Sequence, residues 1–119
     1  STRLPGAKYK RIFDRGRSVK GRLLVAWYLA DQDADRLAGV VVSKKSFHDA
    51  VDRNRAKRIL RAAFREVATE LVPDADWIFA GRALLGGKRT ADVAAEIRVV
   101  ARKVGCWIGG SVAEKKTSL

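Results

Sequence analysis

The 119-residue sequence contains one cysteine, one histidine and no methionine. A single cysteine, Cys106, cannot form a disulfide within the chain, which is typical of a protein in a reducing compartment. One histidine and one cysteine also exclude the usual structural zinc site, which needs four such ligands. Because no base lies near Cys106 in the sequence, we interpret it as a packed thiol.

Long apolar runs are also absent, since no run approaches 18 residues. The sequence therefore predicts no transmembrane helix, and no signal-peptide pattern opens it. We expect a cytoplasmic protein with no membrane partner. The length suits a single domain with a modest core. We expect this core to span about residues 4–104 and to be followed by a flexible tail from about residue 109 to 119.

Negative charge is scarce: the chain has 25 lysines and arginines but only 13 aspartates and glutamates, which gives a formal net charge of +12. This excess predicts an anionic partner, and nucleic acid is a commoner one than a membrane. Eight of the basic residues lie between Lys44 and Arg65, against only Asp49 and Asp52. That stretch carries a net charge of +6, half of the total for the chain.

From Val51 to Val72 the chain has no glycine or proline, and this stretch is predicted to be a helix. At 100° per residue, one sector is apolar: Ala56, Ile59, Leu60, Ala63, Phe64, Val67 and Leu71. Another sector is polar and basic: Asn54, Lys57, Arg58, Arg61 and Arg65. A helix face that is merely solvated usually mixes Glu with Lys. An almost purely cationic, arginine-rich face favours phosphate binding.

The same stretch resembles the signature of the protein subunit of bacterial ribonuclease P. About a dozen positions match at fixed spacing: Val42-Ser43-Lys44-Lys45, then Ala50-Val51-x-Arg53-Asn54-Arg55-x-Lys57-Arg58-x-x-Arg61-x-x-Phe64-Arg65. One departure is visible. Many members have a short Gly-Asn turn before Ala-Val, where this chain has Ser46-Phe47-His48-Asp49, without glycine.

The resemblance implies a function in which an RNA is the catalyst. That RNA uses bound Mg²⁺ to remove the 5′ leader from precursor tRNA, and the protein supplies no catalytic residue, cofactor or metal. The implied partners are the catalytic RNA and precursor tRNA, not DNA. By position, the implied contacts to the catalytic RNA are Arg53, Asn54, Arg55, Lys57, Arg58, Arg61 and Arg65. The implied leader cleft uses the aromatic residues Tyr9, Phe13 and Trp27, with Lys44 and Lys45 at its rim.

Apolar periodicity predicts further elements on both sides of the basic helix. Residues 4–15 are predicted to be a helix that ends at Gly16, and residues 17–22 begin in a short strand. Residues 23–29 and 36–43 are predicted to pair as an antiparallel hairpin around an acidic turn. Residues 76–82 are predicted to form a third long strand. Thr90 is the predicted N-cap of a last helix that stops at Gly105.

This order of elements predicts an α+β fold but does not determine the handedness of the strand–helix–strand crossover, which is right-handed in most proteins. The resemblance implies a single αβββαβα domain with a mixed four-stranded sheet and a left-handed βαβ crossover. This is the arrangement of the second domain of ribosomal protein S5.

The strand at residues 23–29 is apolar on both faces, since Leu23, Val25, Trp27 and Leu29 alternate with other apolar side chains. One face must cover a core. The other is either partly covered or binds a ligand, for example by stacking unpaired bases on aromatic rings. The alternative is that Tyr9, Phe13 and Trp27 only pack a helix against the sheet.

Other motifs have simpler interpretations. Asp31, Asp33 and Asp35 suit a solvated loop better than a metal cluster, and His48 suits a structural or phosphate-contact role better than catalysis. Gly86-Gly87-Lys88 lacks the spacing of a phosphate-binding loop.

Three other functions remain open: a ribosomal-type structural RNA-binding protein, a DNA-binding regulator and a membrane-surface helix. The regulator would need a helix-turn-helix, and the membrane helix would need a bulkier insertion face.

Overall fold

The computed structural model describes residues 3–108. Seven regular elements follow one another in this part of the chain: α1 (Gly6–Arg15), β1 (Arg17–Lys20), β2 (Leu24–Ala30), β3 (Ala38–Val41), α2 (Ala50–Val67), β4 (Ala75–Gly81) and α3 (Thr90–Lys103). Single turns of 3-10 helix flank β4 on both sides. The predicted α+β class and the order αβββαβα are confirmed, whereas the predicted tail lies outside the described residues.

The four strands form one mixed sheet in the spatial order β1-β2-β4-β3. Strands β1 and β4 each pair antiparallel with β2, and β3 pairs parallel with β4. The predicted hairpin between β2 and β3 is therefore wrong, because β4 lies between them. Five consecutive residues of β4, Ala75–Phe79, are buried, and such a strand needs a hydrogen-bonded neighbour on each side. Its place is thus the centre of the sheet.

One face of the sheet, called here the closed face, packs against α2 and α3. Strand alternation directs Leu24 and Ala26 of β2 and Trp77 and Phe79 of β4 toward these helices. The predicted apolar stripe of α2 is confirmed: Ala56, Leu60, Ala63, Phe64 and Val67 are buried. Its Phe64 ring lies 5.7 Å from the ring of Phe79.

The other face, called here the open face, is covered within residues 3–108 by α1. Ile12 of α1 is 1% exposed and packs on Ile78 of β4, together with Leu4. Trp27 and Leu29 of β2 are partly buried beside them. The prediction that one face of β2 covers a core is confirmed, and the other face is partly covered, which is one of the two predicted alternatives.

Helix α1 ends where the sequence predicts, at Gly16. A Cβ atom at Gly16 would lie 2.6 Å from the carbonyl oxygen of Tyr28 in β2, closer than any side chain can approach. Glycine is thus required for the chain to turn from α1 into β1. The predicted start of α3 is wrong by one residue. Thr90 is the first helical residue, and Asp92 accepts a hydrogen bond from the backbone N–H of Arg89 at 3.1 Å.

Residues 106–108 lie against residues 70–72, a pairing that the sequence did not predict. The backbone N–H of Val72 donates to the carbonyl oxygen of Cys106 at 2.9 Å, and that of Ile108 donates to Glu70 at 2.7 Å. Cys106 is 7% exposed, as expected for a packed thiol, and burial raises the pKa of that thiol. The end of the described chain is thereby fastened to the turn between α2 and β4.

Candidate nucleic-acid interface

The polar side chains of α2 form a continuous surface on the side of the helix that faces away from the core. We call this surface the basic face, and its members are Asn54, Lys57, Arg58, Arg61 and Arg65. Four of them, with Val51, line an open groove of about 390 Å³. Burial of the apolar stripe of α2 against the sheet fixes this orientation, because residues on the opposite sector must then point outward.

The basic face is electrostatically uncompensated. Within residues 3–108, none of its lysines or arginines takes part in an ion pair. Lys57 and Arg61, like Arg61 and Arg65, are four residues apart, and like charges at this spacing destabilise a helix. The helix therefore tolerates a repulsion that a bound polyanion would relieve.

Two of the predicted contact residues lie apart from the basic face. The guanidinium of Arg53 is half-buried and donates hydrogen bonds to the carbonyl oxygens of Phe47 at 3.0 Å and His48 at 2.8 Å. Arg55 lies on another side of α2, facing residues 83–87. Through these two hydrogen bonds Arg53 fixes the loop before α2, whereas the Arg55 side chain is exposed.

The loop between β3 and α2 contains Lys44 and Lys45, both exposed. The Ser43 hydroxyl accepts a hydrogen bond from the N–H of Ser46 at 3.1 Å, and the Ser43 carbonyl accepts one from Phe47. Within the described chain the residues with positive φ are Arg36, Gly87 and Gly105, so this loop needs no left-handed residue. The absence of glycine here is accommodated without strain.

The three predicted aromatic residues come together on the open face. The rings of Phe13 and Trp27 meet edge to face with centroids 5.1 Å apart. The Tyr9 ring lies so close to Gly39 of β3 that a Cβ atom there would overlap its hydroxyl. Phe13 remains 43% exposed, and Tyr9 and Trp27 are half-buried. Each ring thus packs on one side and retains exposed surface on the other.

Beyond the aromatic rings, α1 leaves a row of the sheet partly uncovered. Val25, Ala80 and Val41 are register partners across β2, β4 and β3, and all three are half-buried. We call them the open row. Lys20 pairs with Val25 at one end of the row, and Lys44 and Lys45 follow Val41 shortly after the other. The result is an apolar strip with aromatic rings along one side and lysines at both ends.

Asp76, which the sequence analysis missed, attaches α1 to the sheet. Its carboxylate is buried and lies 2.9 Å from Nζ of Lys8 in α1. The same group accepts hydrogen bonds from the N–H groups of Asp35 at 3.0 Å and Leu37 at 2.9 Å. The available signal was an acidic residue within an apolar strand, where a charge must be paired.

Glu70 was also missed and holds the end of the described chain. Nε and Nη2 of Arg98 each donate to its carboxylate at 2.9 Å, and Nε1 of Trp107 donates at 3.0 Å. The hydrogen bonds from Arg98 lower the pKa of Glu70 below its ordinary value, and the carboxylate raises the pKa of Arg98. Arg102 lies over the Trp107 ring at 4.3 Å. These contacts are structural.

The acidic loop of Asp31, Asp33 and Asp35 faces α1. Nη2 of Arg11 lies 2.5 Å from the Asp31 carboxylate, and Nη1 lies 3.6 Å from that of Asp33. In the part of the chain that the structure describes, no three His, Cys, Asp or Glu side chains are grouped as a metal site would require. No helix between residues 3 and 108 has both the length and the hydropathy needed to cross a membrane.

Comparison with known sequences gives one consistent family. The family model described as Ribonuclease P matches residues 4–105. The ribonuclease P protein component of Shouchella clausii is 40% identical over 76 residues, 63% of this chain and 62% of that protein. That of Clostridium acetobutylicum is 30% identical over 105 residues, 86% of this chain and 87% of that protein. The match thus spans less than two thirds of the first relative and most of the second.

Solved structures agree with these relatives. A mutant RNase P protein of Staphylococcus aureus with defective mRNA degradation activity has a TM-score of 0.74 at 26% identity, over 89% of this chain and 90% of that one. The RNase P protein of Thermotoga maritima, at 21% identity, shares the fold with a TM-score of 0.73 over 87% and 97% of the two chains. Since the family model matches residues 4–105 of 119, the chain belongs to the ribonuclease P protein family.

Proposed function

We propose that this chain is the RNA-binding protein component of a ribonuclease P holoenzyme, which acts in the cytoplasm on precursor tRNA. The observation that carries the proposal is the uncompensated basic face of α2 on the same small domain as an open, aromatic sheet face. The first suits a folded RNA and the second an unpaired strand. One chain can therefore hold the catalytic RNA and the 5′ leader at once.

The basic face is the proposed contact to the catalytic RNA. Arg58, Arg61 and Arg65 follow one side of α2 and present guanidinium groups that match phosphate oxygens in a bidentate manner. A helix of 18 residues extends about 27 Å at 1.5 Å per residue, enough to follow several phosphates of an RNA strand. Arg53 contributes indirectly, because it orients the loop that carries Lys44 and Lys45.

The open face is the proposed contact to the leader. Phe13, Trp27 and Tyr9 offer ring surface for stacking, which tolerates any base because every base has a π face. The open row gives this strip an apolar floor, and Lys20, Lys44 and Lys45 can pair with the leader phosphates. Such a surface binds single-stranded RNA with little sequence preference, as a subunit that serves many tRNA precursors requires.

Catalysis is assigned to the RNA and its Mg²⁺ ions, and the protein acts by binding. The test is reconstitution of the full chain, freed of RNA, with a bacterial ribonuclease P RNA and a precursor tRNA. We expect no cleavage by the protein alone at any Mg²⁺ concentration. We expect correct 5′ ends at low Mg²⁺ only when the protein and the RNA are combined. Site-specific cleavage by the RNA-free chain would overturn the assignment.

A further inference from the structure

Strand β3 contains one glycine, Gly39, which is buried beneath α1 on the open face. Its register partner in β4 is Ile78, whose own partner in β2 is Trp27. These three positions form a row across the sheet, and the open row is the next row on the same face. Ile12 of α1 packs with Ile78, and Tyr9 lies over Gly39.

The backbone at residue 39 does not require a glycine. Within the described chain, the glycines with positive φ are Gly87 and Gly105, so Gly39 has a conformation that any residue can adopt. Glycine also weakens a strand, because it has no side chain to pack, and in a strand it often marks a close approach of another group. The constraint at this position is therefore steric and not conformational.

A single side chain imposes this constraint. A Cβ atom at Gly39 would overlap Oη and Cζ of Tyr9 and lie 2.7 Å from Cε2 of the same ring, closer than side chains approach one another. These three atoms are the nearest neighbours of that Cβ position, and all belong to Tyr9. The phenol group of Tyr9 thus occupies the space that a side chain at residue 39 would take.

α1 is held in place on both sides of Tyr9. Nζ of Lys8 lies 2.9 Å from the buried carboxylate of Asp76, and Ile12 is 1% exposed. A methyl group at residue 39 would therefore displace the Tyr9 ring rather than the helix. Because that ring is half-buried, it can move outward into solvent by rotation about its side-chain bonds.

We propose that Gly39 is a positioning residue of the leader contact, because the absence of a side chain there lets the Tyr9 ring lie on β3 beside the open row. In this position the ring stacks on a base of the leader. Gly39 itself is buried and does not contact the leader. The inference rests on the proposed function, since the position of Tyr9 affects binding only if the leader lies on the open face.

The test compares Gly39→Ala, Tyr9→Ala and the double variant in the reconstituted holoenzyme. The measured quantity is the ratio of precursor-tRNA affinity to mature-tRNA affinity. We expect each single substitution to lower this ratio about fivefold or more, as the loss of one stacked base does. We expect the double variant to match Tyr9→Ala alone, because the added methyl group then has no ring to displace. Multiplied losses in the double variant would overturn the proposal, as would an unchanged ratio in Gly39→Ala.

Gly81→Ala in β4 is the matched control, because a Cβ atom there would lie 3.5 Å from Cδ1 of Leu60, an ordinary contact distance. This variant should preserve the ratio. Denaturant unfolding of each variant separates positioning from folding, and we expect Gly39→Ala to remain folded. If it unfolds, the double variant decides. Recovery of the fold with the ratio of Tyr9→Ala would support the proposal, and an unfolded double variant would overturn it.

The unchanged chain separates this inference from the proposed function. If it favours precursor over mature tRNA and Gly39→Ala does so equally, only the role of Gly39 fails. If the unchanged chain does not distinguish the two tRNAs, or does not bind the catalytic RNA, the proposed function fails and the inference fails with it.

Discussion

The two faces of the sheet differ in how completely they are covered. On the closed face, α2 and α3 leave Trp77, Phe64 and Phe79 at most 1% exposed. On the open face, α1 leaves Phe13 43% exposed and the open row half-buried. A fully enclosed ring can contribute only to stability, whereas a ring with exposed surface can also bind. Within the sheet, the closed face thus supplies the stability, and the open face has the exposed ring surface that the proposed leader contact needs.

The two faces also differ in what attaches their helices. α2 and α3 pack on the closed face through a large apolar cluster, to which α3 adds polar contacts from Glu96 to the N–H of Leu23 and from Arg98 to Glu70. α1 has ten residues with only Ile12 buried. Its other contacts are the partly exposed rings of Tyr9 and Phe13 and the ion pairs of Lys8 with Asp76 and of Arg11 with Asp31. A short helix held at a few points leaves part of the sheet free, and this is what creates the open row.

The sharpest test of the comparison is to truncate an aromatic ring on each face. Phe64→Ala should lower the free energy of unfolding by about 3–5 kcal/mol, because it opens a cavity in the closed core. Phe13→Ala should cost about 1 kcal/mol or less, since much of that ring is already in water. Denaturant unfolding followed by circular dichroism measures both. Equal losses would contradict the division between the faces.

The polar attachment of α1 can be broken at Asp76. Asp76→Ala leaves the ammonium of Lys8 and two backbone N–H groups without their acceptor, and should lower the free energy of unfolding by about 2–3 kcal/mol. Asp14→Ala is the control, because its pair with Lys10 is exposed on both sides and such pairs contribute about 0.5 kcal/mol or less. If the Asp76 variant is as stable as the control, α1 is held by apolar contacts instead.

Binding by the open face is tested in the reconstituted holoenzyme. Phe13→Ala should weaken binding of precursor tRNA by about 1–3 kcal/mol for each stacked base that is lost. Binding of mature tRNA, which has no leader, should not change. Val99→Ala on α3 is a matched control, because Val99 is also an exposed apolar residue at 43%. If the ratio of precursor-tRNA affinity to mature-tRNA affinity is unchanged, the Phe13 ring only packs against the sheet and does not bind the leader.

On the side of the closed face, the proposed contact to the catalytic RNA is the outer surface of α2. Arg58→Ala should weaken affinity for the catalytic RNA. The slope of log K against log salt should become shallower by roughly 0.7–0.9 if one phosphate contact is lost. Lys103→Ala on α3 removes one charge outside the basic face and should preserve both quantities. Fluorescence anisotropy at several salt concentrations measures them, and identical slopes for the two variants would remove Arg58 from the interface.

The smallest expected effect concerns the pH dependence of stability at Glu70. Its pKa in the folded protein lies below the ordinary value of 4.5, first because of the hydrogen bonds from Arg98. The stabilisation is therefore complete above the unfolded-state pKa and is lost as pH falls through the lower folded-state pKa. Glu70→Gln should show less loss of stability on acidification than the unchanged chain. Parallel acid-unfolding curves for the two proteins would contradict this contribution.

Much of the candidate interface could be predicted from the sequence because its signals are local. The apolar stripe of α2 determines its inward face, and the basic face follows from helix geometry alone. The stop at Gly16 was predictable for the same reason, since a helix end depends on neighbouring residues. The partners of Arg53 and Asp76 were not predictable, because carbonyl groups of a loop accept from Arg53, and Asp76 meets Lys8 of α1 and two loop N–H groups that only the folded chain brings to it.

The sequence by itself determined which segments become helices and strands, which side of α2 is cationic and which side of β2 carries Trp27. Each depends on periodicity within one segment, and hydrophobic burial enforces it whatever the neighbours are. Only the tertiary structure decided that β4 lies between β2 and β3, and that α1 covers the sheet incompletely. These outcomes depend on competition among segments far apart in the chain, and β4, whose residues Ala75–Phe79 are buried, takes an inner place with hydrogen-bonded partners on both edges.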